Sequence, residues 1–132
     1  MKLSFVLTTL LLSFFLNTFS QNTNQEVSIE NQQPFLLGEI TIDGLLSNTY
    51  KTWFESNFNN YNTDSNQIDL IKDKLKPYKI LVFMGTWCGD SKREVPRFIK
   101  ILESSEYAMD NLKIVALDKR KETYKKSPQG EE

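Results

Sequence analysis

The chain of 132 residues has no histidine and a single cysteine, Cys88. Lack of histidine removes imidazole acid–base chemistry, and lack of a second cysteine removes any internal disulfide and nearly every zinc site. Carboxylates do not fill the gap. Asp43, Asp64 and Asp69 lack cation-loop spacing, and nothing suggests a glycosidase-type carboxylate pair. No metal and no cofactor is expected. Charge of one sign is missing as well: 16 basic against 17 acidic residues leave a net charge of −1. The basic residues are scattered, so there is no footprint for nucleic acid. An unpaired cysteine in such a chain is either inert in a core or a reactive thiol awaiting an outside partner.

Long apolar runs are few, and the longest is at the start. Lys2 precedes residues 3–16 (LSFVLTTLLLSFFL), after which Thr18 and Ser20 stand at small-residue positions before a polar stretch. This order describes a secretory signal peptide over residues 1–20, cleaved before Gln21. A membrane anchor is the other reading, but a span needs ~20 apolar residues, and this run is shorter and broken by Thr8, Thr9 and Ser13. No cysteine near the cleavage point invites a lipid. The expected destination is exported, periplasmic or extracellular, with no stable membrane anchor after cleavage.

Residues 21–34 are polar, rich in Asn and Gln, and read as a flexible linker ahead of one domain over residues 35–132. Residues 39–43 alternate like a short strand that Gly44 closes. Tyr50, Trp53, Phe54, Phe58 and Tyr61 then fall on one helical face, with Ser47, Asn48 or Thr49 as its cap. Such a stripe suits burial against the domain better than a ligand-stacking platform. Ile68, Ile71 and Leu75 mark a second helix, capped within residues 64–66 and stopped by Pro77.

Residues 80–84 (ILVFM) form an unbroken apolar run. Without alternation, the expectation is a strand buried on both faces at the centre of a parallel sheet. Val95, Phe98, Ile99 and Leu102 restore a helical period, and residues 112–117 (LKIVAL) are a second apolar strand. Strand, helix and strand at these lengths make a β-α-β crossover. Cys88 falls just past the first strand and opens the helix, where α/β sheets keep their sites. Free first-turn N–H groups and the helix dipole favour a thiolate there. Asp90 opposes it, with Lys92 and Arg93 expected to offset part of that repulsion.

Residues 87–92 (WCGDSK) resemble the W-C-G-P-C-K active-site motif of thioredoxins, and Pro96 stands eight residues after Cys88 as in that family. The resemblance covers about residues 78–118. It implies a thioredoxin-like α/β fold, here incomplete and preceded by an aromatic-rich helical segment. It makes Cys88 the attacking thiol, Trp87 its neighbour on the partner-facing surface, and Gly89 the residue that keeps the sulfur accessible. Three departures matter. Ser91 stands where a dithiol enzyme has its resolving cysteine, Val82 where thioredoxins bury an acid, and the segment after Asp118 contains no apolar strand. Residues 121–126 look able to begin a further helix only. The expectation is a truncated chain whose residues 80–84 keep an open hydrogen-bonding edge; a complete minimal fold, or a partner supplying strands, are the alternatives.

The function expected from these features is thiol–disulfide exchange with protein or small-molecule thiols and disulfides, through Cys88 with Ser91, Trp87 and Lys92 around it. The competing expectation is a redox-inactive thioredoxin-like binding module or a non-functional fragment.

Overall fold

The computed structural model describes residues 23–47 and 49–131. The expected signal peptide and the first two residues of the expected linker lie outside them. Four strands, β1 (Gln25–Val27), β2 (Phe35–Ile40), β3 (Ile80–Met84) and β4 (Leu112–Ala116), form one sheet in the order β1-β2-β4-β3. The helices are α1 (Ile42–Leu45), α2 (Lys51–Asn59), α3 (Ser65–Leu75) and α4 (Gly89–Ser104).

The β-α-β expectation is met. β3 and β4 run parallel, with Val82 opposite Ile114 and Met84 opposite Ala116, and α4 connects them. β2 joins β4 antiparallel, with Gly38 opposite Ala116. Period-2 geometry then sorts the side chains. Leu36, Ile40, Met84, Ile114 and Ala116 share a core with Tyr50 and Phe54 of the α2 region and Val95 and Ile99 of α4. The aromatic stripe is therefore a packing face: Phe54 stacks on Phe58 with ring centroids 6.0 Å apart.

Four expectations need correction. β3 is an edge strand, not a central one, and it alternates: Met84 is buried, while Leu81 is 45% exposed and Phe83 37%. An apolar run names the residues but not the layer that covers each face. α2 and α4 pack on the face that carries Met84 and Ile114, and on the other face of β3 Leu81 and Phe83 are exposed among the described residues. Among the described residues the outer hydrogen-bonding edge of this strand is unpaired, as expected. Second, the supposed linker contributes β1, which pairs with β2 (Glu26 opposite Leu36), and Asn24 holds the Thr41 amide through its side-chain oxygen at 2.8 Å. Third, the strand expected at 39–43 spans Phe35–Ile40, because Thr41 turns the chain into α1 by accepting the Gly44 amide at 3.2 Å. Fourth, α2 has no side-chain cap, its N-cap position being Tyr50. Asp64 does cap α3, accepting from the Asn66 and Gln67 amides.

The segment after β4 does not start a helix beyond one short 3-10 turn, Lys121–Thr123. It folds back along the sheet. Lys125 donates its amide to the Asp118 carbonyl at 2.9 Å, Asp118 donates to the Lys126 carbonyl at 3.0 Å, and Lys113 pairs with Glu131 at 3.1 Å. None of the described peptide bonds is cis.

Candidate functional site at the Cys88 turn

Register sets where the site sits. Met84 and Ala116 are partners, and Leu117 donates its amide to the Met84 carbonyl at 2.8 Å, so the chain leaves β3 beside residues 117 and 118. Thr86, buried in the turn, accepts the Leu36 amide at 3.0 Å and ties the turn to β2. The turn closes when Cys88 donates its amide to the Gly85 carbonyl at 2.9 Å. Cys88 is then the N-cap residue of α4, extended at φ −90° and ψ 125°, and half-buried.

Its sulfur makes no full capping bond to the first turn. A thiol is a weak acceptor; the thiolate is the form that these N–H groups favour. The Ser91 amide lowers the thiol's pKa most. Burial opposes it, the Ser91 hydroxyl and the Asp90 amide add to the lowering, and the Asp90 carboxylate opposes it again. The net direction is downward. Ser91 also accepts the Gly85 amide through its hydroxyl at 3.2 Å, so one side chain joins the strand end to the sulfur. The expected offset by Lys92 and Arg93 is not what lowers it: Arg93 is engaged with Asp90 at 2.9 Å and Glu94 at 2.5 Å, and Lys92 faces a neighbouring groove.

Trp87 turns back over the strand end. Its indole N–H donates to the Leu117 carbonyl at 2.9 Å, and its ring lies against Tyr124 with centroids 5.3 Å apart. Gly85 makes this possible, since a Cβ there would sit 2.7 Å from the indole. At Gly89 a Cβ would meet nothing within 4 Å, so the approach is open on that side. Tyr124 is held by the loop that Asp118 organises. That carboxylate, 2% exposed, takes hydrogen bonds from the Arg120 amide at 2.8 Å, the Arg120 guanidinium at 2.5 Å and the Thr123 hydroxyl at 2.7 Å. Burial alone would raise its pKa, but these donors outweigh it and bring the carboxyl down to about 2.

Of the four residues singled out from sequence, Cys88 and Ser91 meet at the sulfur, Trp87 lies beside the turn, and Lys92 lines the groove instead. Gly85, Thr86, Asp118 and Tyr124 were missed as parts of the site. The closing glycine of the strand was visible, but its contact with Trp87 and the Asp118 loop depend on β3 and β4 being neighbours. Among the described residues no cluster could hold a metal ion, and no helix is long and apolar enough to cross a membrane.

An apolar strand paired in parallel with β4, a turn that presents a cysteine, and a long helix opening on that cysteine define a thioredoxin-like unit. A family model described as thioredoxin matches residues 46–132, well over half of the sequence. The chain belongs to the thioredoxin family. No curated protein and no solved structure matches it.

Proposed function

We propose that the protein carries out thiol–disulfide exchange through Cys88 alone, in an exported compartment where disulfides are available. The observation that supports this most is the half-buried Cys88 sulfur at the start of α4, with its pKa lowered first by the Ser91 amide. The Cys88 thiolate attacks one sulfur of a partner disulfide. The partner's S–S bond breaks, a new S–S bond joins Cys88 to the attacked sulfur, and the other sulfur leaves as a thiolate that takes a proton from water. Release of the partner then needs an outside thiol to attack the mixed disulfide, because Ser91 cannot. The chemistry is therefore shuffling, removal of small-thiol adducts, or durable capture. Partners are protein or small-molecule thiols and disulfides, and no cofactor is required.

The test is trapping with a model disulfide. The wild-type protein should gain the mass of one half of the disulfide at neutral pH, and Cys88→Ser should gain none. A second reading, a redox-inactive binding module, is favoured by Ser91 and Val82 at positions where a dithiol enzyme carries a thiol and an acid. Ser91→Cys separates the two. A dithiol variant that reduces a model disulfide no faster than wild type supports the module.

A further inference from the structure

A groove of about 370 Å³ opens beside the Cys88 turn, bounded by Pro34, Trp53, Thr86, Trp87, Lys92 and Lys119 among others. The other cavity described, about 220 Å³, lies at the opposite end of β4 around Leu112 and is remote from the sulfur. The larger groove lies within the range of ligand sites, which run from about 300 Å³ upward. Its composition is uneven. Three aromatic rings, those of Tyr50, Trp53 and Trp87, and Pro34 supply apolar wall, two lysines supply charge, and no carboxylate lines it. The chain as a whole carries a net charge of −1, so two uncompensated cations here are a local feature.

The lysines differ in how they are held. Lys119 donates to the Gln33 carbonyl at 2.7 Å and lies 5.0 Å above the Phe35 ring, which fixes its ammonium at the wall. Neither Lys92 nor Lys119 has a salt bridge among the described residues. Glu26, which accepts the Tyr50 hydroxyl at 2.8 Å, is not part of the lining. Lys92 also donates its amide to the Cys88 carbonyl at 3.0 Å, so the charged end of the groove begins one helical turn from the sulfur.

We infer that this groove receives an acidic, extended peptide segment flanking the partner's disulfide, with a carboxylate between Lys92 and Lys119 and an apolar side chain against Trp53 and Trp87. The inference rests on the exchange reading for its disulfide, and it adds the class of partner. Complementary charge sets selectivity and encounter rate more than raw affinity, so discrimination among peptides is the property to measure.

The chain's two tryptophans both line the groove, and their fluorescence therefore reports its occupancy. Cys88→Ser protein is titrated with three ten-residue peptides that alternate Leu with Glu, Gln or Lys. Two half-exposed ion pairs, each worth about as much as a surface pair, predict that the Glu peptide binds roughly fivefold more tightly than the Gln peptide in low salt. That gap should shrink in 0.5 M salt, given a Debye length of about 3–8 Å above physiological ionic strength. Lys92→Gln and Lys119→Gln should each remove part of it. Equal binding of all three peptides, no change in emission, or an equal response to citrate overturns the inference, the last by making this a general anion site. The Ser variant cannot exchange disulfides, so a failure here leaves the trapping result at Cys88 untouched, and a failure of trapping leaves this result untouched.

Discussion

Replacing Asp118 by Asn tests whether the loop after β4 holds Trp87 in place. Burial works against the Asp118 carboxylate, yet bonds from Arg120 and Thr123 lower its pKa from 3.8 to about 2. A tenfold change in proton affinity corresponds to ~1.4 kcal/mol, so ionised Asp118 favours the folded chain by about 2 kcal/mol. The sign follows from linkage: a carboxyl with a depressed folded pKa stabilises above its unfolded value and loses that contribution as pH falls through the folded value. Asn resembles the protonated acid. Wild type should therefore exceed Asp118→Asn by about 2 kcal/mol in urea unfolding at pH 6. The difference should narrow between about pH 4 and pH 2 and be small at the lower end. Other carboxylates titrate in the same window, but they do so in both proteins and cancel in the difference. Emission from Trp87, which touches Tyr124 in this loop, should shift in the variant at neutral pH. A wild-type advantage that is absent at pH 6, or that stays constant down to pH 2, would refute the reasoning.

Three further outcomes follow from packing and from the turn. Gly85→Ala places a Cβ 2.7 Å from the Trp87 indole, so it should destabilise by about 1–3 kcal/mol and shift tryptophan emission; an unchanged spectrum would show that the ring does not rest there. Ile99→Ala, at a side chain 1% exposed, should cost about 2–5 kcal/mol, whereas Leu81→Ala on the open face of β3 should cost well under half as much, and equal losses in thermal melts would place a covering layer over Leu81. Ser91→Ala removes one of the bonds that favour the Cys88 thiolate, so the alkylation midpoint of Cys88 should rise; an unchanged midpoint would show that the hydroxyl donates elsewhere.

Local pattern made much of this legible. The 3.6-residue period placed α2, α3 and α4 within a few residues, Asp64 marked the start of α3, and the run at 80–84 followed by Gly85 located the turn with Cys88 at a helix start. What failed depends on neighbours far along the chain. Leu81 and Phe83 are as apolar as Val82 and Met84, and the packing of α2 and α4 against the Val82 and Met84 face decides which pair is exposed. β1 carries no apolar period because it needs only backbone pairing with β2. Asp118 reads as a loop residue, and its role appears only when Arg120 and Thr123 fold round it beside Trp87. Lys92, assigned to the sulfur by sequence proximity, points instead to a groove built from residues far before it in the chain, such as Gln33.

The most direct measurement is the rate of Cys88 alkylation by iodoacetamide against pH on the folded protein. A thiolate favoured by the Ser91 amide should give a midpoint below the free-thiol value of about 8.5, and labelling should need no denaturant. A midpoint at or above that value, or labelling only after unfolding, would contradict a sulfur poised for exchange.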